Sequence, residues 1–200
     1  MDFLERVKLN RSYRGFDQER KVTKSELETL VELARFCPSS INFQPLKYFL
    51  SCDPKTNEKI QPLTGWARRL PHLKLPREGH NPTAFIVICA DKNIAPNPER
   101  FMKDVGIVAQ TMLLGSIELG LGGIMIGNFN AGKVSEALSL EAHLEPVLIL
   151  ALGKPDEEVR LVEVPEDGDI GYTRDEENIT YVPKRSKEEL IINCKEEKFN

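Results

Sequence analysis

Two short stretches carry the residue types that could do chemistry. The first, Asn10-Arg11-Ser12-Tyr13-Arg14-Gly15-Phe16, sets two guanidinium groups and a hydroxyl within four residues. Guanidinium forks bind phosphate oxygens in bidentate fashion, and a serine adds a short hydrogen bond. By itself the stretch also reads as a solvated basic turn. The second, Pro38-Ser39-Ser40-Ile41-Asn42-Phe43-Gln44-Pro45, gathers hydroxyl and amide groups between a helix and a strand. Ser, Asn and Pro serve turns in many loops. Beside buried elements, Ser39, Ser40, Asn42 and Gln44 could equally read the edge of a flat heteroaromatic ring that offers donors and acceptors.

Other chemistries find no support. His72, His80 and His143 lack metal-ligand spacing among themselves or with cysteines, so no metal site is expected. Gly120-Leu121-Gly122-Gly123-Ile124-Met125 imitates a dinucleotide fingerprint, but Met125 replaces its last glycine and the run follows a helix instead of opening one. Neither a phosphate-cradling Gly-x-x-x-x-Gly-Lys-Ser/Thr loop nor a Gly-x-Ser-x-Gly elbow occurs. With 27 basic and 31 acidic residues the chain carries a formal charge of −4, against a dedicated nucleic-acid binder. The apolar runs Ala84 to Ala90 and Pro146 to Leu152 are too short to span a bilayer, and the start lacks the pattern of a signal peptide. Cys37, Cys52, Cys89 and Cys194 form no Cys-x-x-Cys pair, which points to buried free thiols in a reducing cytoplasm.

The elements that must position these stretches are legible in part. Thr23-Lys24-Ser25-Glu26 is a capping box, and Leu27, Leu30, Val31 and Ala34 follow at helical spacing, so a helix is expected over Val22 to Cys37. Leu46 to Cys52 reads as a strand stopped by Asp53-Pro54. An irregular, proline-rich excursion follows, with a short helix expected around Trp66. Ala84 to Ala90 reads as a strand buried on both faces, and Asp104 to Leu119 as a central buried helix. Gly120 and Gly122-Gly123 are expected to end that helix, ahead of a strand from Ile124 to Gly127. A helix over Lys133 to Leu140 and a strand over Val147 to Leu152 come next. Lys154 to Asp175 reads as an extended connection. A strand at Asn178 to Val182 then needs a partner, such as a sheet edge of its own or another chain. A short helix is expected over Ser186 to Ile192. With 200 residues, 40 % of them apolar, the pattern suits one α/β or α+β domain.

At the two polar stretches the sequence resembles the nitroreductase family of FMN-dependent flavoproteins, and the likeness runs along nearly the whole chain. Arg11-Ser12-Tyr13-Arg14-Gly15-Phe16 is similar to the family's Arg-Ser-x-Arg/Lys-x-Phe motif, and Pro38 to Pro45 to its Pro-Ser-x-x-Asn-x-Gln-Pro loop. Asp104-Val105-Gly106 leading to Gln110 resembles the start of the central helix. Gly120 to Phe129 resembles the segment under the flavin, Leu152-Gly153-Lys154-Pro155 the closing strand, and Pro183-Lys184-Arg185 a basic C-terminal element.

The resemblance implies an α+β, three-layer sandwich with a mixed, mainly antiparallel sheet flanked by helices. It implies a single domain over residues 1–200, of which about 154–200 form a C-terminal segment exchanged between the subunits of a homodimer. It places the FMN phosphate on Arg11, Ser12, Arg14 and either Lys184 or Arg185, and the ribityl chain and ring beside Ser39, Ser40, Asn42 and Gln44. The segment Met125, Ile126, Gly127 and Asn128 would bring backbone amides near the flavin N5. The implied activity is an NAD(P)H-dependent oxidoreductase acting on a small acceptor such as a nitroaromatic or quinone. A flavin-binding protein for storage or sensing, or another flavin reaction on the same fold, is the alternative. Asn10, Leu46 and Asn128 depart from the Arg, aromatic residue and glycine common in the family, and Trp66 to Asn81 carries no substrate signature.

Overall fold

The run Ala84-Phe85-Ile86-Val87-Ile88-Cys89-Ala90 has no polar alternation, and in the computed structural model every one of its residues is buried. Residues 1–192 are described by the structure, so Cys194 falls outside the described residues. The chain divides into two units, Met1–Glu157 and the part from Glu158 onward. The first unit runs α1 (Phe3–Leu9), β1 (Phe16–Asp17), α2 (Lys24–Arg35), β2 (Leu46–Ser51), α3 (Pro54–Ile60), β3 (Ala84–Asp91), α4 (Met102–Ser116), β4 (Gly122–Ile126), α5 (Ala131–Leu138) and β5 (Leu144–Pro155).

β5 lies between β3 and β4, β2 flanks β3, and β1 pairs with the last two residues of β5, all antiparallel. A parallel bridge from Ser12 to Gly123 sets the N-terminal stretch beside β4. Alternation along β3 sends side chains to opposite faces. Ala84, Ile86 and Ile88 join Leu27 and Leu30 of α2 and Val105, Ala109 and Met112 of α4. Phe85, Val87 and Cys89 join Ile60 of α3, Val134 of α5 and Ile124 and Ile126 of β4. Helices therefore cover both faces of an α+β sandwich, and burial pushes the Cys89 thiol up to about 12. Each such fully buried aliphatic side chain stabilises the fold by roughly 1.5–3 kcal/mol.

The capping box forms as expected: Glu26 N–H donates to the Thr23 hydroxyl and Thr23 N–H to the Glu26 carboxylate. Three expectations differ. No helix forms around Trp66. The helix is α3, because Asp53-Pro54 both stops a strand and starts a helix, with the Asp53 carboxylate accepting from Thr56 N–H at 2.9 Å. α1, closed by an Asp2–Glu5 capping box, was not anticipated, since it buries no residue in this chain and lacks a core-facing pattern. Gly122 and Gly123 lie inside β4 instead of ahead of it. A Cβ on Gly123 would stand 2.6 Å from the Ala151 carbonyl oxygen, so the strand needs a glycine there to approach β5.

The second unit contains β6 (Val159–Glu163), β7 (Thr173–Arg174), β8 (Thr180–Lys184) and α6 (Lys187–Leu190). β6 occupies part of the stretch read as a plain connection. It pairs in parallel with β8, which also pairs antiparallel with β7. The strand signal at Asn178 to Val182 is thus met inside its own unit. Asp175 organises the turn: its carboxylate accepts from Ile179 N–H at 2.8 Å and from the Tyr181 hydroxyl at 3.0 Å. Among the described residues no helix is long and apolar enough to cross a membrane.

Candidate functional site

Arg11 follows the C-cap of α1, and its Nη2 donates to the Val7 carbonyl at 2.9 Å. Its Nε is buried with no hydrogen-bond partner, and burial lowers the guanidinium's pKa from its ordinary value. Arg6 nearby is paired with Glu118, whereas Arg11 has no carboxylate partner among the described residues. Tyr13 fixes the stretch at both ends: its N–H donates to the Gly123 carbonyl at 3.2 Å and its hydroxyl to the Leu9 carbonyl at 2.8 Å. Arg14 Nη1 donates to the Ser12 carbonyl at 3.1 Å, and Arg14 N–H donates to the Glu157 carboxylate. Two guanidinium groups therefore flank an exposed Ser12 at the head of β4. Glu157 offsets part of their charge.

From Gly123 the strand rises about 13 Å to Gly127. Met125 packs half-buried against the α2–α4 side, and Ile126 is buried in the opposite cluster. Their side chains belong to the core, which leaves the backbone as what the segment can offer. Gly127 and Asn128 are exposed, and a Cβ on Gly127 would meet nothing within 4 Å. A recess of about 440 Å³ lies beside Asn128 and Phe129, walled by Leu63 and Thr64.

The polar loop is held from below. Ser39 Oγ donates to Asp104 Oδ2 at 2.6 Å and accepts from Gln44 N–H at 3.0 Å, and Ser40 N–H donates to the same carboxylate oxygen at 2.9 Å. Gln44 Nε2 donates to the Asn42 side-chain oxygen at 3.0 Å. Ile41, Asn42 and Gln44 all take left-handed backbone conformations, at φ 47°, 58° and 51°. For a β-branched residue such as Ile41 this costs on the order of 1–3 kcal/mol, which the Asp104 anchor helps to offset. Asp104 itself is 3 % exposed in the first turn of α4. The sequence reading used it only to mark a helix start. The signal available was an acid at the head of an otherwise apolar helix.

Arg11, Ser12 and Arg14 therefore lie beside the head of β4, and Met125 to Asn128 run along its end and just beyond it. Ser39 to Gln44 hang on α4 instead, nine residues or about 14 Å before Leu113, whose side chain lies against Gly123. In the second unit Lys184 ends β8, and Arg185 pairs with Glu189 at 3.0 Å, both exposed.

The nitroreductase family model matches residues 8–154, a span that holds the arginine stretch, the polar loop and β4. The chain belongs to the nitroreductase family. Among solved structures it is similar to a nitroreductase family protein of Clostridium difficile 630, at 28 % identity and a TM-score of 0.62, over 78 % of this chain and 86 % of that one. It is also similar to the NfrA1 nitroreductase of Bacillus subtilis, at 25 % identity and a TM-score of 0.66, over 82 % of this chain and 71 % of that one. An FMN reductase [NAD(P)H] of Bacillus subtilis strain 168 is 25 % identical over 169 residues, covering 73 % of this chain and 63 % of that protein. The nitroreductase fold accounts for the helices on both faces and the mainly antiparallel sheet.

Proposed function

We propose that this nitroreductase family member binds FMN and passes electrons from NAD(P)H to a small acceptor such as a nitroaromatic or quinone. The observation that carries the reading is Arg11, a half-buried guanidinium with a buried, unbonded Nε and no carboxylate partner among the described residues, set beside Ser12 at the head of β4. A buried donor left unbonded is costly, and a phosphate oxygen would complete it. Bound FMN supplies the hydride chemistry. Arg11, Ser12 and Arg14 hold its phosphate. The backbone of Met125 to Asn128 lines its ring, about 13 Å along the strand. On the resemblance alone, Lys184 or Arg185 adds a further cation.

Ser39, Ser40, Asn42 and Gln44 are anchored on a different element, so in this reading a homodimer lets the loop of one subunit complete the site of the other. Exposed Phe3, Leu4 and Leu9 on α1 and Met102 and Ile107 on α4 provide apolar surface for such an interface. An exchanged C-terminal segment belongs to the same proposal. The kinetic test is a matrix of NAD(P)H and quinone concentrations. Parallel double-reciprocal lines are expected, because donor and acceptor use one cleft in turn. Intersecting lines contradict the reading.

A further inference from the structure

We propose that Gly65 is a positioning residue for the reactive edge of the bound flavin, acting through Asn128; the inference rests on the FMN reading above. It begins with a close approach of two segments remote in sequence. Gly65 N–H donates to the Asn128 carbonyl at 2.7 Å, and Thr64 forms an antiparallel bridge with Phe129. The Asn128 carboxamide lies over the bare α-carbon of Gly65. A Cβ there would stand 2.0 Å from Asn128 Nδ2, 2.7 Å from its Cγ and 3.2 Å from its carbonyl oxygen. A side chain at residue 65 would push the Asn128 carboxamide out of its present position.

The segment carrying Gly65 is itself fixed. Trp66 packs against the cluster of Ile60, Ile126 and Ile149, and its Nε1 donates to Thr64 Oγ1 at 2.8 Å. Thr64 Oγ1 donates in turn to the Gln61 carbonyl at 2.6 Å. On the other side, β4 and its ladder to β5 stop at Ile126. Gly127 and Asn128 thus leave the sheet just where the site opens, and a sheet bond no longer sets their peptide planes. Gly65 takes over that task. Its N–H holds the Asn128 carbonyl, so only the two backbone torsions of Asn128 separate that fixed point from the Gly127–Asn128 peptide. A preorganised backbone donor acts on a reacting ring only when it is held in place, and a misplacement of about 1 Å forfeits much of the effect.

The test uses Gly65→Ala and Asn128→Gly, singly and together, in the full-length protein. For each variant three quantities are measured: the melting temperature without flavin, the FMN dissociation constant, and the ratio of affinities for oxidised and reduced FMN, read from the midpoint potential. Gly65→Ala is expected to change that ratio at least tenfold, about 30 mV for a two-electron couple, while FMN affinity moves less than threefold. In the Asn128→Gly background, which removes the contacts to Nδ2 and Cγ, the same change is expected to move the ratio less than threefold. Trp66→Phe removes the indole bond to Thr64 and part of the packing on Ile60, Ile126 and Ile149, loosens the same segment, and supplies the ratio where Gly65→Ala does not fold; a shift of about threefold is expected. A ratio unmoved in whichever of these two variants is read overturns the positioning role, even if the melting temperature falls. An equal shift of Gly65→Ala in both backgrounds also overturns it. Wild-type protein that takes up no FMN overturns the underlying reading, and the proposal with it. Uptake with an unmoved ratio removes the positioning role alone.

Discussion

Arg11 separates a cofactor clamp from a decorated turn. Arg11→Ala is expected to weaken FMN binding ten- to a hundredfold, since a charge-assisted contact is worth roughly 1.5–3 kcal/mol. Riboflavin lacks the phosphate, so its affinity serves as the internal control and is expected to move less than threefold. Titrating both ligands against wild type and variant checks this, and equal losses would point to collapse of the stretch. Asp104 is tested through the loop it anchors. In Asp104→Asn two charge-assisted hydrogen bonds become neutral ones, about half as strong. We expect a loss of about 1–2 kcal/mol in urea unfolding and at least tenfold weaker FMN binding. An unchanged FMN affinity would detach the loop from the site. Residue type and spacing marked the arginines and the Ser-Ser-x-Asn-x-Gln run as candidates that an ordinary turn also fitted, and the family resemblance supplied their proposed role. Asp104 and Gly65 were not so marked. A buried acid and a bare α-carbon acquire meaning only from the Ser39 hydroxyl and the Asn128 carboxamide brought to them by the fold.

At the scale of elements, α2 carries the clearest local signal and also a pH dependence. The Arg20 guanidinium, with the Thr23 cap, holds the Glu26 carboxyl down to about 2 from an ordinary 4.5. A depressed folded-state pKa gives stability that is present above the unfolded value, here about 4.5, and is lost as pH falls towards 2. After screening of the part-exposed Arg20, that is about 1–2 kcal/mol. Urea unfolding of wild type and Glu26→Gln is therefore expected to differ by about this much at pH 6, by about half as much near pH 3, and by little at pH 2 and below. A difference that persists undiminished at pH 3 would sink the assignment. This helix was legible because cap and 3.6-residue periodicity agree. β3 was legible through its unbroken apolar run. α3 was hidden because Asp53-Pro54 was read as a stop alone, and β6 because its exposed Leu161 and Val162 sit in a charged stretch without alternation.

At the scale of the whole molecule, the division of site residues between β4 and α4 is the argument for two subunits. Ile107→Glu places a charge on the exposed apolar face of α4. Sedimentation is expected to show wild type as a dimer and this variant shifted towards monomer, with FMN retention falling in step. A wild-type monomer that binds FMN fully would contradict the shared site. The order of helices and strands narrowed the fold to an α/β or α+β domain, and the family resemblance supplied the α+β sandwich. The proposed homodimer was implied by the family resemblance alone, because α1 lacks a core-facing pattern and gave no hint of its exposed apolar residues. The central claim, that the chain carries FMN and uses it with NAD(P)H, is tested most directly by visible absorbance under anaerobic conditions. The account expects yellow protein, or colourless protein that turns yellow with added FMN, bleaching on addition of NADH or NADPH and regaining its colour with a quinone. A folded protein that stays colourless after incubation with FMN, or yellow protein that neither donor bleaches, would contradict it.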